Sequence, residues 1–119
     1  MKKTLVIGAS ENPERYSYKA TEALKKHKHE VIALGLKEGE INGTKIVTGN
    51  PDLKDIDTVT LYVGPKNQPD YFDYVLSLKP KRVVFNPGTE NEVFENLLTK
   101  NGIEAERACT LVLLSLNQY

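Results

Sequence analysis

The sequence predicts an α/β fold, a three-layer α/β/α sandwich built on a five-stranded parallel sheet in strand order 3-2-1-4-5. Two observations carry that prediction. Short β-type runs recur along the 119 residues with helix-patterned segments between them, which is how βαβ units read. All the runs but the last are nearly continuous in apolar or β-branched residues, as strands covered on both faces require. At this length one domain is expected, large enough to bury a core without disulfides or structural metal.

The runs are Thr4–Ile7, Val31–Leu34, Thr58–Val63, Arg82–Phe85 and Ile103–Arg107. After the first, Ala20, Ala23, Leu24 and His27 share one helical face; after the third, Phe72, Val75, Leu76 and Lys79 share another. A further helix is marked by Thr89 and Glu92 as a T-x-x-E capping box. It continues in a stripe of Val93, Phe94, Leu97 and Leu98 and stops at Asn101-Gly102. Lys37–Asp55 breaks the alternation. Its Gly39, Gly43, Gly49 and Pro51 predict an irregular crossover in place of a helix, with a short extra strand over Thr44–Val47. Leu111–Leu116 reads equally as a short apolar helix or a closing strand.

Sixteen basic and sixteen acidic side chains balance, so no polyanion-binding surface is implied and nucleic acid is not an expected partner. One cysteine, Cys109, excludes an internal disulfide, and without a Cys/His cluster no zinc site is expected. The apolar run near the N-terminus is too short for a secretory signal or a membrane span. A soluble cytoplasmic protein is expected.

Ligands of open α/β sheets sit beyond the carboxyl ends of the strands, where strand order reverses. Four loops qualify. They hold Gly8, Ala9, Ser10 and Arg15; Gly35, Leu36 and Lys37; Gly64, Pro65 and Lys66; and Asn86, Pro87, Gly88 and Thr89. Strand, glycine and helix follow one another at Gly8, the order that brings backbone N–H groups and a helix N-terminus to a phosphate. The opening differs from the dinucleotide fingerprint G-x-G-x-x-G, with Ser10 and Pro13 at the second and third glycine positions. The second strand also lacks an acidic residue at its end to bind a ribose diol. Lys37 there suits a phosphorylated ribose, such as that of coenzyme A or NADP.

On these residues the chain resembles the small stand-alone CoA-binding proteins of the Rossmann-like family related to the N-terminal domain of the succinyl-CoA synthetase alpha subunit. The strongest match is Gly8-Ala9-Ser10 with Pro13, Arg15 and Ser17, against that family's G-A-S-x-x-P-x-R-x-S opening. Lys37, Gly43, Asp57, Gly88 and Cys109 match position by position. Three departures stand out. A V-N-P corner is replaced by Leu34-Gly35-Leu36, a W-x-Q-x-G loop by Phe85-Asn86-Pro87-Gly88, and a helix-ending glycine by Lys28. The resemblance implies a Rossmann-like fold and binding of coenzyme A or an acyl-CoA through the Gly8-Ala9-Ser10 loop, with NADP as the alternative ligand. The site residues it implies are Gly8, Ala9, Ser10, Arg15, Tyr16, Ser17, Gly35, Lys37, Gly64, Lys66, Asn86, Pro87 and Gly88.

Catalysis is not expected of this chain. The synthetases pass phosphate through a histidine on a second domain, whereas His27 and His29 here follow the first helix, where a cation suits the dipole. Cys109 reads as a small buried residue, and no carboxylates form an acid/base pair. The partner implied is a small nucleotide ligand. A homodimer or protein partner would use the sheet edges or the Leu111–Leu116 tail.

Overall fold

A computed structural model describes residues 1–119. It contains β1 (Thr4–Ile7), α1 (Tyr16–Lys26), β2 (Val31–Leu34), β3 (Gly39–Ile41), β4 (Thr44–Val47), β5 (Thr58–Leu61), α2 (Phe72–Leu78), β6 (Arg82–Phe85), α3 (Glu92–Lys100), β7 (Glu104–Arg107) and α4 (Thr110–Ser115). One sheet runs β3-β4-β2-β1-β5-β6-β7, parallel throughout except for the β3–β4 pair. The α/β class and the mostly parallel sheet are as the sequence predicts.

The sheet has seven strands, not five, and the extra two come from the segment read as an irregular crossover. Asn42 and Gly43 both have positive φ, 44° and 90°, and join β3 to β4 as a two-residue hairpin turn. Asn-Gly is the preferred pair for such a turn. β4 takes the place beyond β2 that the third run was expected to fill, and that run pairs instead with β1 on its other side. Counted over the six parallel strands, the order is 3-2-1-4-5-6. Strand order therefore reverses between β1 and β5, and the loops after those two strands face each other across the reversal.

Alternation along β1 sends Leu5 and Ile7 to one face and Thr4 and Val6 to the other. The first face holds the main core, in which Leu5, Ile7, Leu34, Val59, Leu61 and Phe85 pack with Val75 of α2 and Phe94 and Leu98 of α3. Phe94 meets Phe72 and Phe85 at ring separations of 4.4 and 5.6 Å. The second face is covered by α1 and α4 through Val6, Leu24 and Leu114. It also carries Thr58, Thr60 and Arg82, all buried. Leu111–Leu116 thus resolves as helix.

Helix ends differ from expectation in two places. α3 starts at Glu92, and its cap is Asn91: the Asn91 side chain accepts from Phe94 N at 3.3 Å, while Glu95 accepts from Asn91 N at 2.9 Å. The Thr89 hydroxyl is spent on Asn86 O instead, and Val93 faces solvent. Lys79 closes α2 in the left-handed conformation, φ 50°, so it does not extend the helical face. Lys28, at φ 70°, occupies a left-handed position that favours glycine.

Candidate functional site

β1 ends at Gly8, whose φ of +97° a side chain would strain. A Cβ there would lie 2.8 Å from the Tyr62 carbonyl oxygen, so the loops after β1 and β5 approach as closely as only glycine allows. The N–H groups of Gly8 and Ala9 are both spent on Leu34 O, at 2.9 Å each. The loop then folds on itself: Ser10 Oγ accepts from Asn12 N, Asn12 Oδ1 from Glu14 N, and Asn12 O from Arg15 N. Glu11 ties the loop to the hairpin by accepting from Glu40 N at 3.0 Å.

These bonds leave the N–H groups of Ser10 and Glu11 without a protein acceptor, and those of Tyr16 and Ser17 in the first turn of α1 likewise. The first turn of α1 contains no acidic residue, and its N-cap, Arg15, makes no capping bond through its side chain. Ser17 is 4% exposed, yet only its carbonyl oxygen has a hydrogen-bond partner. Orphan helix N–H groups, the positive end of the helix dipole and an unpaired guanidinium are together the groups that can hold an anion.

These residues line two adjoining clefts, with Ser10 and Arg15 shared by both. The larger, about 820 Å3, is lined by Gly8–Asn12 and Arg15, by Leu36–Glu38, by Ile46, and by Tyr62–Gly64 with Asn67, Asp70 and Tyr71. The smaller, about 360 Å3, is lined by Gly8, Ser10, Arg15, Tyr16, Ser17, Tyr62, Gly64 and Pro87–Thr89. Both volumes fall within the range of small-molecule pockets. Charge is divided unequally between them. The larger cleft sets Arg15 and Lys37 against Glu11, Glu38 and Asp70, whereas Arg15 is the only charged side chain in the smaller. Tyr62 lines both clefts. Its hydroxyl is buried beside Thr60 and Thr110, which bond each other, and it has no partner of its own; burial pushes the phenol well above its ordinary pKa.

Most of the expected site residues meet here. Gly8, Ala9, Ser10, Arg15, Lys37 and Gly64 line the larger cleft, and Tyr16, Ser17, Pro87 and Gly88 the smaller. Three do not. Lys66 is exposed on the 3-10 turn Pro65–Asn67, outside both clefts. Gly35 lies beneath the first loop, where a Cβ would sit 2.6 Å from Ala9 O; it is needed for that packing and reaches neither cleft. Asn86 is buried, donating to Thr60 Oγ1 and Leu61 O and accepting from Thr110 N. Sequence reading missed Glu11, Ile46, Tyr62, Asn67, Asp70 and Tyr71. Tyr62 alone had a signal, as a residue near the carboxyl end of the third apolar run, where ligands of such sheets bind.

Comparison with known proteins follows the same line. A family model described as "CoA binding domain" matches residues 2–115, and the chain belongs to that family. No curated protein matches it significantly. A crystal structure of an uncharacterized protein superposes with a TM-score of 0.98 at 53% identity, covering 100% of this chain and 98% of that one. A conserved hypothetical protein from Pyrococcus furiosus gives 0.80 at 27% identity, over 94% of this chain and 99% of that one. A dinucleotide-forming acetyl-coenzyme A synthetase from Candidatus Korarchaeum cryptofilum gives 0.69 at 17% identity, over 87% of this chain and 25% of that one. The last shares the fold.

No helix is long and apolar enough to cross a membrane. No group of three or more His, Cys, Asp or Glu side chains is placed to hold a metal ion.

Proposed function

We propose that this domain binds coenzyme A or a short acyl-CoA without transforming it. The observation that carries the reading is the set of unpartnered donors where the clefts meet: the N–H groups of Ser10, Glu11, Tyr16 and Ser17, with the Arg15 guanidinium beside them. Ser10 and Arg15 line both clefts, Glu11 the larger and Tyr16 and Ser17 the smaller, donors enough for a pyrophosphate that spans the two. The adenosine lies in the larger cleft with its 3′-phosphate toward Lys37 and its base against Leu36, which is 89% exposed at the rim. The pantetheine arm runs through the smaller cleft between Gly64 and Pro87-Gly88. The family match supports coenzyme A, and nothing comparable supports NADP.

A binding role rather than catalysis is supported by what lines the clefts. Neither histidine is among the lining residues, Cys109 lies outside both clefts as the N-cap of α4, and Glu11 is engaged by Glu40 N. The domain would then present coenzyme A to a partner or report its level, with Val112 and Leu116 of the α4 segment, 51% and 58% exposed, as a contact surface.

Thermal unfolding with coenzyme A, acetyl-CoA, dephospho-CoA, NADP and NAD tests the ligand. Coenzyme A at a hundred times its Kd is expected to stabilise the fold by about 2.7 kcal/mol, and stabilisation by NADP alone would overturn the reading. Catalysis is tested by following free thiol with succinate, coenzyme A, ATP or GTP and magnesium, and separately with acyl-CoA thioesters. Turnover that scales with protein and vanishes in Cys109→Ser would make Cys109 a nucleophile.

A further inference from the structure

Gln68 is fully buried in the loop that follows β5, and nothing in its immediate sequence explains why an amide should be there. Its side chain makes three hydrogen bonds. Nε2 donates to Val63 O at 2.8 Å and to Thr89 O at 2.7 Å, and Oε1 accepts from Asn91 Nδ2 at 2.9 Å. Val63 lines the larger cleft and Thr89 the smaller, so one amide joins the loops after β5 and β6 beneath both. Asn91 is also the cap of α3, which ties the same point to a rigid helix.

The loop after β6 is otherwise held by its own polar groups. Asn86 O accepts from Thr89 N and Thr89 Oγ1, and Glu90 accepts from Gly88 N at 2.9 Å. With Gln68 closing the other side, the walls formed by Gly64 and by Pro87-Gly88 stand at one fixed separation. Burying an unpaired amide costs more than an apolar residue would, so an amide at this position is explained by what it holds.

We infer that Gln68 is a positioning residue that sets the width of the smaller cleft for the pantetheine arm of coenzyme A. It acts through the carbonyls of Val63 and Thr89 and does not itself touch ligand. The inference rests on the binding reading above, and it assigns Gln68 to one half of the ligand. The adenosine half is placed against Leu36 and Lys37 of the loop after β2, and Gln68 reaches that cleft only through Val63 O.

The test compares coenzyme A with adenosine 3′,5′-bisphosphate, which lacks the pantetheine arm, by titration calorimetry on the full chain. Gln68→Met keeps the volume and removes the three bonds; it is expected to weaken coenzyme A about tenfold and the bisphosphate less than twofold. Asn91→Ser keeps a side-chain acceptor that can cap α3 and removes the donor to Gln68 without adding charge. It is expected to weaken coenzyme A about threefold with the bisphosphate unchanged, and it decides the matter should Gln68→Met fail to fold. Equal losses for both ligands would make Gln68 merely structural, and unchanged affinities would remove it from binding altogether. If the unaltered protein binds neither ligand, the coenzyme A reading falls and the role of Gln68 falls with it. If it binds both and the variants show no selective loss, only the inference falls.

Discussion

The two ends of this sheet are both rich in polar groups, and they treat those groups in opposite ways. At the amino ends of the strands the groups satisfy one another. Arg82 donates through Nε and Nη2 to Thr58 Oγ1 and through Nη1 to Glu106 at 3.0 Å, and it lies 4.6 Å above the Tyr119 ring. Thr58 Oγ1 passes its own proton toward Asp57, the Tyr119 hydroxyl bonds Thr4 Oγ1, and Lys2 Nζ donates to Tyr119 O. At the carboxyl ends, Arg15 and Lys37 form no ion pair, and four backbone N–H groups have no acceptor. The first arrangement stabilises the fold. The second leaves donors at a cleft, where water or a ligand can use them, and that difference is what the proposed binding role rests on.

The largest effect expected from breaking this contrast is at Gly8. Gly8→Val places a β-branched side chain at φ +97° and against the Tyr62 carbonyl, at a cost of about 3 kcal/mol or more. Binding of coenzyme A should be lost together with that stability, as measured by denaturant unfolding and by titration. A variant of unaltered stability that still binds would show that the close approach of the two loops is unimportant.

A pair of arginine variants should separate the two ends directly. Arg82→Ala removes a buried cation with partners on three sides and is expected to cost about 2 kcal/mol of stability, with coenzyme A affinity unchanged. Arg15→Ala should do the reverse. Stability should stay within about 0.5 kcal/mol, and coenzyme A should bind about tenfold more weakly, a change of about 1.4 kcal/mol. Matching profiles from chemical denaturation and titration for the two variants would dissolve the distinction between the ends.

How much of this was legible in the sequence follows from the range over which each feature is decided. The parallel strands were legible because each is a local apolar run, and the glycine loop leading into α1 because strand, glycine and helix are neighbours in the chain. The Asn42-Gly43 hairpin was legible too, through a local dipeptide whose meaning the surrounding glycines obscured. What the sequence did not reveal depends on approach between distant segments. Gly8, Ala9 and Ser10 were read together as the phosphate loop, but Leu34 O takes the N–H groups of Gly8 and Ala9, and the free donors are those of Ser10 and Glu11. Asn86 was read as a ligand amide, but Thr60 and Thr110 bind it from other elements. The cap at Thr89 failed for a similar reason, since Asn86 O captures the hydroxyl and leaves Asn91 to start α3.

A smaller effect is expected at Lys28, near the amino end of β2, where the left-handed backbone is occupied without glycine. Lys28→Gly should stabilise the fold by about 1 kcal/mol and leave coenzyme A affinity alone. Chemical denaturation and titration of the variant read the two quantities separately. A loss of stability would show that the lysine side chain contributes more than its backbone strain costs.

The smallest effect is a pH dependence confined to the amino end. His29 Nδ1 accepts from Lys2 N at 3.0 Å, and its ring meets Tyr119 edge-on at 5.0 Å. Burial, then the positive charges of the chain's N-terminus, His27 and Lys2, hold its pKa below the ordinary 6.5. Between the folded and unfolded values the unfolded chain binds more protons, so this contribution to stability is complete above about pH 6.5 and falls as the pH drops toward the folded value. Denaturant midpoints between pH 7.5 and 5.5 should decline gently, and His29→Gln, which keeps an acceptor for Lys2 N but cannot titrate, should flatten the decline. A slope that survives in His29→Gln would place the titrating group elsewhere. Coenzyme A affinity offers the complementary reading: no histidine lines either cleft, so over the same interval affinity should follow only the ligand's own 3′-phosphate, whose second pKa is about 6, and should be the same in His29→Gln. A fall in affinity that tracked His29 would couple the two ends and end their separation.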